Sequence, residues 1–113
     1  ILYSGEADMV VARTVAGGEI AFLTGHAPFL GALETGVVRV KTGSGEEVAA
    51  VHGGFVEVRD NRVIILSDVA ELAKDIDVSR AEQAKANATG DDEESVDARK
   101  RADARLDAAK RSS

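Results

Sequence analysis

The stretch Phe55-Val56-Glu57-Val58-Arg59-Asp60-Asn61-Arg62-Val63-Ile64-Ile65-Leu66-Ser67-Asp68 decides the fold. Its first five residues alternate, with Phe55, Glu57 and Arg59 on one face of a strand and Val56 and Val58 on the other. Asp60-Asn61 is a two-residue turn of residue types that tolerate left-handed backbone, so a hairpin is predicted. Val63–Leu66 is apolar on both faces, which predicts a strand that is central or covered by another surface. At Asp68 this character stops. Ten of the eleven glycines and all four aromatics (Tyr3, Phe22, Phe29 and Phe55) lie before it. After it come alanine, alternating charge and the single glycine Gly90.

Working back from this stretch, Met9–Val15, Ile20–Leu23, Val37–Lys41 and Val48–Val51 also read as strands. Together with Phe55–Arg59 and Val63–Leu66 they recur at the spacing of a sandwich or barrel. Gly43-Ser44-Gly45 is expected to join two of them as a second hairpin. Gly17-Gly18-Glu19 reads as a solvated tip with Glu19 exposed. Gly25-His26-Ala27-Pro28 is a tight loop in which Pro28 biases Ala27 toward extended backbone. The chain opens on Ile1-Leu2-Tyr3, and the first strand is expected to begin upstream.

Working forward, the residues predict a helix over Val78–Ala88 capped by Asp77 and ended by Thr89-Gly90. An acidic connector, Asp91–Glu94, follows, and then a second helix over about Ser95–Lys110. Their apolar stripes are alanine-weighted: Ala81, Ala84 and Ala88, then Ala102, Leu106 and Ala109. Alanine methyls bury little area and helices this short are marginal alone, so the hairpin should detach easily. The expected organisation is therefore a β-sandwich over residues 1–68 and an α-helical hairpin over residues 69–113.

Twenty acidic against fourteen basic side chains leave a net charge of −6, which disfavours a phosphate backbone and hence nucleic acid. No cysteine is present, so disulfides and thiolate metal sites are excluded. No apolar run approaches the roughly 20 residues of a membrane-spanning helix, and no leader-like segment is visible. His26 and His52 stand without the spacing of a zinc site. Ser4, Ser44 and Ser67 lack the surroundings of a nucleophile. Catalysis and metal binding by this chain are not expected. Arg80, Arg101 and Arg105 admit two readings: ordinary helix-surface charge, or a cationic pocket for a polyphosphate pooled across the helices.

The order Gly17-Gly18-Glu19-Ile20-Ala21-Phe22, Gly25-His26-Ala27-Pro28-Phe29-Leu30, Leu33-x-x-Gly36, Gly53-Gly54-Phe55-Val56-Glu57-Val58 resembles the epsilon subunit of F-type ATP synthases, bacterial in type. Ile76-Asp77-x-x-Arg80-Ala81 matches that family's helical-domain signature. Thr24 departs from it, standing where proline is frequent. The resemblance implies a non-catalytic subunit in the foot of the central stalk, bound to a gamma subunit and resting on the c-subunit ring. It places the chain at the cell membrane, peripheral and on the cytoplasmic side. Glu19 and His26 are the implied subunit-contact residues. The helical tail would fold down or extend toward the catalytic-head alpha and beta subunits and slow ATP hydrolysis. Some members bind a regulatory ATP, which here implies Glu71, Ile76, Asp77, Arg80, Ala81, Arg101 and Arg105; no cofactor is required. The alternative expectation is a free-standing ATP-sensing module.

Overall fold

β-Branched residues at alternate positions force pairing, and the pairing is antiparallel throughout. A computed structural model describes residues 2–23, 28–60, 62–67 and 69–112. The residues Gly25-His26-Ala27, Asn61 and Asp68, on which sequence expectations fall, lie outside the described set.

Nine strands are described: β1 (Tyr3–Glu6), β2 (Met9–Thr14), β3 (Gly18–Leu23), β4 (Phe29–Leu33), β5 (Gly36–Thr42), β6 (Gly45–Val51), β7 (Gly54–Arg59), β8 (Arg62–Leu66) and β9 (Ala70–Leu72). The sheet runs β1-β8-β7-β4-β2-β5-β6-β9, with β3 also on β2. Between β4 and β2 the only paired residues are Thr14 and Leu33, so the sheet folds there into two layers. Val56, Val58, Val63 and Ile65 from one layer meet Val10, Phe22, Val38, Val40 and Val51 from the other. This interior is a β-sandwich core.

The β7–β8 hairpin pairs Phe55 with Leu66 and Arg59 with Arg62, and Asp60 has the positive φ of 52° expected of such a turn. In β5–β6 the pair Thr42↔Gly45 leaves a two-residue turn, Gly43-Ser44, one residue tighter than expected. The tip between β2 and β3 is closed by Thr14, 2% exposed. Its Oγ1 donates to the Gly18 carbonyl and accepts from the Gly17 N–H, each at 3.0 Å. Glu19 consequently stands inside β3 opposite Arg13, exposed but not on a free tip.

The first strand expected at the opening of the chain is β1, while β4 and β9 were not expected. β1 is set by pairing with β8. β4 contains Gly31 and Ala32, weak strand formers, and is set by β7. β9 lies beyond the compositional break and pairs with β6. The chain therefore stays in the sheet through Leu72, and alanine-rich composition begins before the β layer ends. The doubly apolar strand β8 is central, between β1 and β7, yet Leu66 on its outer face is 45% exposed. The strand covered on both faces is β6, in which Val48, Ala49, Ala50 and Val51 are all buried.

What covers β6 is the tail. After a single 3-10 turn at Ala73–Asp75 come α1 (Val78–Asn87) and α2 (Glu93–Ser112). Asp77 caps α1, accepting from the Arg80 N–H at 3.1 Å. Helix α2 starts earlier than expected because Asp92 acts as its cap. The Asp92 carboxylate accepts from the Ser95 N–H at 3.2 Å and the Ser95 hydroxyl at 2.8 Å. Those bonds hold its pKa below the usual carboxylate value. Glu93 and Glu94 then occupy the first turn, where the helix dipole favours them, and are not a connector. From α2, Arg99 Nη1 donates to the Ala88 and Gly90 carbonyls at 2.6 and 2.7 Å, capping the end of α1. Lys85 and Asp103 join the helices at 2.8 Å.

Candidate functional site

Alternation along β6 sends Ala49 and Val51 inward and Val48, Ala50 and then His52 outward. Glu71 of β9 pairs with Ala50, so it shares that outer face. Onto this face α2 brings Arg101, Ala104, Arg105 and Ala108, a stripe at i, i+3, i+4 and i+7. Ala104 and Ala108 pack with Val48, Ala50 and Ala73, with Val37 and Ile76 at the margin. Residues of three elements thus converge at one end of the helix–sheet seam.

At that end Glu71 Oε1 accepts from Arg105 Nε at 2.6 Å and from His52 Nε2 at 3.2 Å. The His52 side chain is only 4% exposed, and its Nδ1 is buried without a hydrogen-bond partner among the described residues. Its backbone N–H donates to the Val69 carbonyl at 3.0 Å. Burial lowers the His52 pKa, and the Arg105 and Arg101 charges push it further down, while Glu71 acts in the opposite sense. Burial raises the Glu71 pKa, but hydrogen bonds from Arg105 and His52 outweigh it and leave the carboxyl below its usual value. At neutral pH the arrangement is a neutral imidazole carrying its proton on Nε2, a carboxylate and a guanidinium.

Of the expected nucleotide residues, the structure brings Glu71, Arg105 and Arg101 to this point. Ile76 packs against the same helix face, Asp77 serves as the α1 cap and Ala81 is 2% exposed. Arg80 is exposed, and its side chain forms no ion pair among the described residues. His26 lies outside the described residues. Glu19 lines a cleft of about 440 Å³ between α2 and the outer side of β2 and β5. Four cations and five carboxylates line that cleft, so it presents no cationic field to a polyphosphate.

His52 is the residue that sequence reasoning left out, having weighed it only as a metal ligand. The signal available was its parity with Val48 and Ala50 along one strand. A second surface lies on the opposite layer, where Leu30, Phe55 and Leu66 are 69%, 53% and 45% exposed. Phe55 pairs with both Ala32 and Leu66, whereas Leu30 pairs with Glu57, so the outer face of β4, β7 and β8 carries an apolar patch at Ala32, Phe55 and Leu66, with Glu57 beside Leu30.

Comparison with known proteins adds to this geometry. A family model described as ATP synthase, Delta/Epsilon chain, beta-sandwich domain matches residues 1–73. The ATP synthase epsilon chain of Streptomyces avermitilis is 49% identical over 108 residues, covering 93% of this chain and 83% of the relative. That of Streptomyces coelicolor is 49% identical over 111 residues, covering 96% and 86%. That of Alkalihalophilus pseudofirmus is 52% identical over 87 residues, covering 77% and 65%. A chain in the cryo-EM structure of the Euglena gracilis mitochondrial ATP synthase, OSCP/F1/c-ring in rotational state 1, matches with a TM-score of 0.70. It is 26% identical, and the match covers 91% of this chain and 69% of that one.

Proposed function

This chain belongs to the ATP synthase delta/epsilon family and is an epsilon subunit of the F-type enzyme, and we propose that it is a non-catalytic central-stalk subunit that couples rotation to ATP synthesis and restrains ATP hydrolysis through α1 and α2. The observation that carries this reading is the division of labour in the packing. The sandwich has a core of its own, whereas the helical hairpin is held by a second, smaller cluster built largely of alanine. A rigid body suits load-bearing contacts, and a thinly held hairpin suits selection between docked and released states.

In this reading the outer face of Leu30, Phe55 and Leu66 supports a gamma-subunit contact, since large exposed apolar faces mark interaction surfaces. Glu19, with His26, would face the c-subunit ring, and a released hairpin would reach the catalytic alpha and beta subunits. No helix among the described residues is long and apolar enough to cross a membrane. We place the subunit peripherally at the cytoplasmic side of the cell membrane, through the complex. Co-purification from solubilised membranes tests this: tagged chain should retain a gamma-type coiled coil and the ring, and Phe55→Ser with Leu66→Ser should lose them. Retention of neither by the unaltered chain would refute the reading and leave the free-standing module.

Regulatory ATP remains part of the proposal, at Glu71, Ile76, Asp77, Arg80, Ala81, Arg101 and Arg105. Its support is the convergence of Arg101 and Arg105 on Glu71 and His52. An anion there must compete with Glu71 for Arg105. Calorimetry should give ATP heat that Arg105→Ala and Arg80→Ala each diminish; no heat from the unaltered chain would dismiss the site.

A further inference from the structure

We propose that His52 is a proton-sensitive latch on the helical hairpin: neutral His52 holds α2 on the outer face of β6, and protonation of His52 favours its release. The inference shares with the proposed function the premise that the hairpin moves, and needs neither nucleotide nor a partner subunit.

The geometry carries it. His52 is buried beneath α2, and among the described residues the docked state satisfies only one of its ring nitrogens, through Glu71. Protonation puts a second N–H on Nδ1, a buried position without an acceptor among the described residues. It also puts a cation under α2, where Arg105 and Arg101 already project. Among the described residues, the charged groups facing His52 are Glu71 from β9 and these two arginines from α2. Glu71 is the single anion of the set, and Arg105 already takes the oxygen that His52 uses. When α2 lifts away, both arginines leave and water reaches the ring, so the released state accepts the proton readily.

The sign follows from linkage. The docked state holds the His52 pKa below its ordinary value and the released state restores it to about 6.5, so the docked state binds fewer protons. Docking is complete above that ordinary value and weakens as pH falls below it, by up to about a decade in the docking constant per pH unit. Glu71, whose pKa is lowered by docking, acts in the same sense only below the ordinary carboxylate range of about 4.3. Among the described residues, the window from about pH 6.5 to 5 therefore belongs to His52.

The chain has no cysteine, so Ser44→Cys and Gln83→Cys, both at exposed positions, give a clean dye pair across the seam in the full chain. Energy transfer should fall between pH 7.5 and 5 while circular dichroism stays constant. In His52→Gln, which keeps an N–H donor but does not titrate, the curve should be flat. A flat curve for the unaltered sequence, or the same pH response in His52→Gln, overturns the latch. Ala108→Asp supplies the released reference. If its transfer equals that of the unaltered chain, the premise of a moving hairpin fails, whereas a low reference beside a pH-insensitive parent sinks the latch alone. Should His52→Gln fail to fold, NMR titration of the parent, with His26→Gln for assignment, decides. His52 should titrate below its ordinary value, in step with the transfer change; a midpoint at or above about 6.5 refutes the proposal.

Discussion

Replacing Ala108 by aspartate puts a carboxylate at a position with no solvent exposure, between α2 and the outer face of β6. The interface it enters is thin. Ala50, Ala73, Ala104 and Ala108 are each no more than 6% exposed and Val48 is 7% exposed. At about 0.8 kcal/mol per buried methyl-sized group the four alanines contribute about 3 kcal/mol, and Val48 adds about 2. The Glu71–Arg105 pair, each side chain about 30% exposed, contributes at most about 1 kcal/mol. Against that total, desolvating an unpaired carboxylate costs several kcal/mol. Arg105 and Arg111 could neutralise it only by leaving Glu71 and Asp107. The hairpin should therefore undock while the sandwich persists. Hydrogen exchange followed by mass spectrometry reads this directly: amides of 97–109 should exchange at least about 100-fold faster, at about 1.4 kcal/mol per decade, with β2 and β5 unchanged. Helix propensity alone would give only about threefold, from about 0.7 kcal/mol. A rise of that smaller size, or equal loss of protection in β2 and β5, would refute the reasoning.

Arg99→Ala removes the donors to Ala88 and Gly90 and should destabilise the end of α1 by about 1.5–3 kcal/mol; unchanged exchange over 84–88 would count against the cap. Gly54→Ala adds a Cβ that collides with the Leu66 carbonyl oxygen at a residue whose φ is +129°. A cost above about 2 kcal/mol is expected, and an undiminished melting temperature would contradict it. Thr14→Val strands the Gly17 N–H and the Gly18 carbonyl, lowering stability by about 1–3 kcal/mol in urea titration; an unshifted midpoint would show the tip does not need its hydroxyl.

The hairpins and both helices were legible because their signals are local: alternation at Phe55–Arg59, turn chemistry at Asp60, a cap at Asp77. β4 and β9 were not, since Gly31, Ala32 and Ala70 have no strand preference and pair only because β7 and β6 offer open edges. The apolar run Val63–Leu66 is the central strand it predicts, yet the strand covered on both faces is β6. Val63–Leu66 is the more apolar run, but the small side chains of Val48 and Ala50 permit a helix to approach closely, and packing followed size. The site was half visible. Arg101 and Arg105 stood out as cations of one helix and Glu71 came through family resemblance, while His52 joins them only through the register of β6 with β9, a long-range fact that spacing along the chain does not carry.

Between the end of β9 at Leu72 and the start of α1 at Val78 lie five residues. Fully extended they span at most about 17 Å. A hairpin that lets go of the sheet is therefore on a short leash, and Arg99, bridging the two helices, favours its leaving as one unit. Short tethers keep their ends at about millimolar effective concentration. Re-docking is then a unimolecular event, and an interface of weak intrinsic affinity can still be well occupied. Near such a balance point, occupancy answers to small free energies, the scale on which a single proton acts.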